Sequence, residues 1–187
     1  MTLWDQTLSE FRDGIASARP TPGGGSVCAV TASLGLGLVI MALEITHKRT
    51  PQPALQGARS LLAELSACAD EDVRAFDAYL RAHRMPEGEQ RERELRHAAR
   101  LATEVPLTAA RQVVTALELA AIVQASAHVH SDVIAGAELL HASLHGLFAT
   151  LAMNLDALEL ELREQAIAAR AQLSTRAAAA LSRIRAR

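Results

Sequence analysis

Residues 20–26, Pro-Thr-Pro-Gly-Gly-Gly-Ser, have the composition of a ligand cradle. Two prolines stiffen the backbone, and three glycines let another group approach it closely. A long apolar run follows at once. If that run is helical, its first turn presents unpaired N–H groups and partial positive charge, which suits an anion or a flat polar ring. The segment is not a P-loop, because no Gly-Lys-Ser/Thr follows, and not a dinucleotide fingerprint, because no strand precedes it. A plain connector between two helices is the competing reading.

Other polar groups cluster further on. His141 and His145 are spaced i, i+4, with Glu138 one turn earlier and His128, His130 and Asp132 upstream. Such spacing can hold zinc, but the HExxH order is missing, so polar positions on a half-exposed helix face, and no metal, are expected. His47-Lys48-Arg49 ends the apolar run, where cations suit the negative end of a helix or meet an anionic substrate tail. Asp70, Glu71, Asp72 and Asp77 form an acidic patch with a solvated face as its plain explanation. Cys28 and Cys68 show no metal or redox spacing.

These residues must be held by helices. Half of the 187 residues are hydrophobic and 3% aromatic, so the core is aliphatic and rich in strong helix formers. A first helix is expected from a Thr2 cap to about Ala18, with Leu3, Trp4, Leu8, Phe11 and Ile15 as its stripe. Pro20 and Pro22 end it. A second runs from Gly24–Ser26 to about His47, with Gly35 and Gly37 allowing close approach of another backbone. A third spans Ala54 to His83, with Leu55, Ala58, Leu62, Leu65, Ala69, Phe76 and Leu80 holding its helical period. A fourth opens with charge after Met85-Pro86-Glu87-Gly88 and reaches about Gln124 through Pro106, which removes one backbone bond. Ser126–Ser131 is a connector. Ser131 or Asp132 then caps a helix that continues, through Asn154 and Asp156, into an Ala-rich stretch ending near Arg185. The fold expected is all-α: one domain over 1–187, an antiparallel bundle of about six helices around one buried central helix.

Net charge of −2 and a pI near 6.4 argue against nucleic acid as partner. Arginines cluster from Arg163 to Arg187, as cations near the negative end of a last helix. Val27–Leu43 approaches the length of a membrane span. A central bundle helix gives the same pattern. It is the one such segment apparent in the sequence, so no membrane is expected. The polar N-terminus shows no signal pattern, and the cytoplasm is the expected compartment.

Four segments, in order, resemble the C-terminal domain family of formiminotransferase–cyclodeaminase, which includes stand-alone methenyltetrahydrofolate cyclohydrolases. They are RPTPGGGSVCAVTASLGLGLVIMALEIT, DVRAFDAYLRAHRMP, ATEVPLTAARQV and HVHSDVIAGAELLHASLHGLFATLAMNL. The resemblance implies a helical homodimer that binds a tetrahydrofolate derivative and needs no cofactor beyond that substrate. It implies chemistry at the one-carbon bridge between N5 and N10: cyclodeamination of the 5-formimino compound, or hydrolysis of the 5,10-methenyl compound. Both pass through a tetrahedral carbon and need proton transfer. The alternative is a folate-binding or interaction protein of the same fold that has lost the chemistry. Three departures bear on the choice. Thr46-His47-Lys48-Arg49-Thr50 keeps the family's basic charge without its Tyr, Glu87 stands where relatives carry Lys, and Ser126–His130 replaces an Asn-rich turn.

From the resemblance and the residues together, Pro22, Gly23, Gly24, Gly25 and Ser26 are expected to cradle the folate near a dimer seam. Asp132 is the expected general acid/base, with His130 assisting. Lys48 and Arg49 are expected to attract the glutamate tail, and Asp72, Asp77 and Asn154 to contact the substrate.

Overall fold

The computed structural model describes residues 2–47, 54–123 and 125–186. Its helices are α1 (Leu8–Ile15), α2 (Gly24–His47), α3 (Ala54–His83), α4 (Glu89–Ile122), α5 (His130–Asn154) and α6 (Leu160–Arg185). Short 3-10 turns cover Leu3–Asp5, Ala127–Val129 and Leu155–Ala157, and there is no strand among the described residues.

The expected first helix is broken. Thr7 starts α1 with a reciprocal cap: its Oγ1 accepts from the Glu10 N–H at 3.2 Å, and the Glu10 carboxylate accepts from the Thr7 N–H at 2.8 Å. Both orphan groups are satisfied locally, so the chain restarts there. Of the expected stripe, Leu3 and Phe11 reach the core, while Trp4, Leu8 and Ile15 are exposed.

The helices α2 to α5 alternate in direction. Ser26 meets Asp72 and Ser33 meets Ser66 across α2 and α3; Cys68 meets Gln112 across α3 and α4. Against α2, α5 also runs antiparallel and approaches very closely. A Cβ on Gly35 would stand 2.8 Å from the Gly136 carbonyl oxygen, and one on Gly136 would stand 3.2 Å from Val39 Cγ2. Cys28 Sγ fills the space a Cβ on Gly146 would need. Small residues therefore set this spacing. Gly37, expected to share that role, has nothing within 4 Å of its Cβ position. Finally, α6 runs parallel to α4, tied by Arg100–Glu159 and by a two-pronged Arg176–Glu118 pair at 2.9 and 2.8 Å.

The core is aliphatic: Leu36, Val39 and Leu43 of α2 meet Leu140, Leu144 and Leu147 of α5, with Val113 and Leu117 of α4. But α2 is not buried on every side. Leu34, Met41 and Ile45 are exposed along one stripe, with Leu38 half-buried between them. By length and composition three helical stretches, not one, suffice to cross a membrane: Gly24–Thr46, Glu89–Ile122 and Ala127–Ala157. The sequence reading missed the second and third because scattered polar residues interrupt their apolar runs.

Two helix ends differ from expectation. Val129 holds the cap position of α5, with no side-chain cap bond, so Ser131 and Asp132 lie inside its first turn. The long C-terminal helix divides at Leu155–Ala157 into α5 and α6.

Candidate functional site

A cavity of about 740 Å³ opens at the end of the bundle where α2 begins and α5 finishes. The loop residues Thr21 and Gly23 and the α2 residues Gly24 and Gly25 form one wall. Asp72, Phe76 and Tyr79 of α3 form another, and Thr150 and Asn154 of α5 a third. The volume is that of a small-molecule site, mostly apolar with a few convergent polar groups.

Asp72 organises this end. Its Oδ2 accepts from the Ser26 N–H at 2.8 Å and from the Ser26 hydroxyl at 2.7 Å. A carboxylate from α3 thus caps the start of α2, where negative charge is favoured. The anion expected at this helix start is supplied by the chain itself, so the cradle suits a flat polar ring better than an external anion. The arrangement also explains a glycine. A Cβ on Gly25 would fall on the Asp72 carboxylate, 2.6 Å from its Cγ. Asp72 Oδ1 accepts no hydrogen bond from the described residues.

Phe76 and Tyr79 sit one turn apart on α3, ring centroids 6.3 Å apart, both partly exposed toward the cavity. The periodicity of α3 assigns Phe76 to the core; the structure places it on the cavity wall. A signal was present in composition, since the chain has only three Phe, one Tyr and one Trp. Across the cavity, Asn154 Nδ2 donates to the carbonyls of Ala102 (2.7 Å) and Thr150 (3.2 Å).

The expected site residues thus divide. Gly23, Gly24, Gly25, Asp72 and Asn154 come together. Ser26 is fully buried and gives both of its donors to Asp72, so it holds Asp72 rather than facing the cavity. Pro22 lies in the loop behind the wall, after a cis Thr21–Pro22 peptide, and Asp77 lies outside the lining. Asp132 and His130 do not join the cavity within one chain. They begin α5, which runs antiparallel to α2, and so stand about 25 Å from Gly24 at 1.5 Å per residue. Lys48 and Arg49 lie outside the described residues.

The acidic patch is not merely a solvated face. Asp70 Oδ1 accepts from the Leu3 N–H at 2.7 Å, fastening the N-terminal turn as Asp72 fastens α2. On the far side of α5, the Nε2 atoms of His141 and His145 lie 2.9 Å apart. Burial, then the neighbouring His145, holds the His141 pKa below its ordinary value. No third His, Cys, Asp or Glu joins them among the described residues. Both cysteines are free; burial and nearby carboxylates push the Cys68 thiol up to about 11.

A family model described as formiminotransferase-cyclodeaminase matches residues 7–173. The chain belongs to this family. Within it, the chain is similar to a methenyltetrahydrofolate cyclohydrolase of Methylorubrum extorquens, 30% identical over 74% of this chain and 73% of that one. It is also similar to the formimidoyltransferase-cyclodeaminase of Sus scrofa, 30% identical over the whole of this chain but only 38% of that protein. A solved formiminotetrahydrofolate cyclodeaminase from Thermotoga maritima shares the fold, with a TM-score of 0.85 over 97% of this chain and 95% of that one, at 24% identity. The all-α bundle is therefore the fold of the family.

Proposed function

We propose that this chain is an enzyme of folate one-carbon interconversion and that the cavity at the start of α2 takes the pterin end of a tetrahydrofolate. Family membership supports the substrate class. The observation that carries the site is Asp72, the one carboxylate on the cavity wall among the described residues, with one oxygen anchored to Ser26 and the other accepting no hydrogen bond from them. A carboxylate so held can take and return a proton without losing its position. Phe76 and Tyr79 offer faces for a planar ring.

The reaction is cyclodeamination or hydrolysis. In the first, N10 adds to the formimino carbon and ammonia leaves. In the second, water adds to the methenyl carbon and one C–N bond breaks. Both proceed through a tetrahedral carbon, and the carbon keeps its oxidation state, so no redox cofactor is required; the reading also invokes no metal. The cytoplasm is its proposed setting, without membrane or nucleic-acid partners.

The proposal includes a homodimer joined along the exposed α2 stripe of Leu34, Leu38, Met41 and Ile45. A twofold pairing of antiparallel α2 helices whose axis lies at the glycine side of that stripe, near Leu34, brings the Asp132 end of one copy toward the glycine end of the other. Asp132 and His130 then serve as the second proton-transfer group.

The test follows methenyltetrahydrofolate absorbance with the formimino and methenyl compounds in turn, measuring affinity separately. Asp72→Asn and Asp132→Asn are each expected to lower turnover about 10²–10⁴-fold with affinity nearly intact. Full turnover of Asp132→Asn would leave Asp132 as a partner of the α5 helix dipole alone. Binding without turnover of either compound by the wild type would favour the folate-binding alternative, in line with the altered Thr46–Thr50 and Ser126–His130 segments.

A further inference from the structure

We infer that Pro106 is a positioning residue for the cavity: it frees the Ala102 carbonyl to grip Asn154, which fixes Asn154 as a hydrogen-bond acceptor for an N–H donor of the ligand.

The chain of reasoning starts within α4. Pro106 lies in the middle of that helix and is fully buried. It has no N–H, so the carbonyl four residues earlier, that of Ala102, lacks its helical donor, and the proline ring crowds that carbonyl off the helix axis. Ala102 is half-buried, and a carbonyl shielded from water without a partner is costly. Its partner here is Asn154 Nδ2 at 2.7 Å, 52 residues away on α5. The second Nδ2 hydrogen goes to the Thr150 carbonyl at 3.2 Å. Two carbonyl partners fix which end of the amide is nitrogen, since an oxygen cannot donate.

The consequence lies on the other side of the amide. Both Asn154 hydrogens are engaged, and Oδ1 accepts nothing from the described residues. Asn154 and Ala102 both line the cavity. An asparagine ordinarily presents both a donor and an acceptor; this one offers a ligand only an acceptor. It therefore selects ligands with an N–H at that point over ligands with a bare carbonyl or ring nitrogen, because two facing acceptors leave both unpaired. This rests on the folate reading only for the identity of the ligand; a reduced pterin carries N–H donors of the required kind.

The experiment is a double-mutant cycle of Pro106→Ala and Asn154→Ala in the full chain, with two readouts. The first needs no ligand: the NMR shifts and solvent exchange of the Asn154 side-chain amide protons. Pro106→Ala returns a helical N–H to the Ala102 carbonyl, and the Asn154 amide protons should shift and exchange faster. The second is calorimetric affinity for 5-formyltetrahydrofolate. Pro106→Ala should weaken it about threefold to tenfold, the range for one hydrogen bond, and should have no such effect in the Asn154→Ala background. A role in fold stability alone predicts equal loss in both backgrounds, and that result overturns the inference. Unchanged amide protons in Pro106→Ala overturn it as well, whatever the affinity. If the wild type binds no tetrahydrofolate, the folate reading falls, while the amide protons still decide whether Pro106 holds Asn154.

Discussion

Gly25→Ala isolates the contact between α2 and α3 that shapes the cavity. On helix propensity alone, Ala is favoured over Gly by about 1 kcal/mol. Tertiary geometry reverses the sign. The added Cβ would stand 2.6 Å from Asp72 Cγ and 2.9 Å from Asp72 Oδ2, inside any tolerable separation. Asp72 must swing away, and its bonds to the Ser26 N–H and hydroxyl are lost. A hydrogen bond to a charged group contributes about 1.5–3 kcal/mol. Both bonds reach one oxygen of a half-buried carboxylate, so their joint loss is about 3 kcal/mol rather than twice that. Setting this against the propensity gain leaves a net loss of about 2 kcal/mol. With a urea slope of 1–3 kcal/mol per molar, the midpoint falls by roughly 1 M. The decisive measurement repeats Gly25→Ala in an Asp72→Ala background. With the carboxylate removed, the same substitution should become neutral or stabilising. Gly24→Ala, whose Cβ would meet only Thr150 Oγ1 at 3.6 Å, should stay within about 0.5 kcal/mol of wild type. Equal destabilisation by Gly25→Ala in both backgrounds would refute the argument.

The proposed dimer should respond to charge on the α2 stripe. Leu34→Glu combined with Met41→Glu, both at exposed positions, should give a folded monomer in sedimentation velocity; a retained dimer moves the seam elsewhere. His141, whose pKa is held below the ordinary 6.5 by burial and by His145, resists protonation when folded. Its contribution to stability is therefore present above pH 6.5 and lost as the pH falls below it. Denaturation midpoints at pH 7.5 and 5.5 should converge in His141→Gln relative to wild type.

The limits of all six helices were close to legible in the sequence, apart from the breaks at Thr7 and Leu155. Helix ends obey local rules: Gly24 opens one helix, and Pro86 and Gly88 separate α3 from α4, although α1 stops at Ile15, ahead of Pro20 and Pro22. The Gly-rich segment was legible from its composition as either a cradle or a connector, while Asp72 and Asn154 entered as candidate site residues only by resemblance to the family. Their roles were not. Ser26 lies 46 residues from Asp72, and Asn154 lies 52 from Ala102. Nothing in the local pattern says which carboxylate caps α2 or which side chain answers the carbonyl that Pro106 leaves free. Phe76 obeys a core periodicity and yet faces the cavity, because periodicity specifies a helix face and not what stands opposite it. Asp132 follows the same logic. Its place in the first turn of α5 is a local matter, but its distance from the glycines follows from α5 running antiparallel to α2. That packing depends on Gly35 meeting Gly136 across 101 residues of chain. Local propensity acts over a turn or two; function here depends on which helices cross, and close packing of side chains from distant segments decides that.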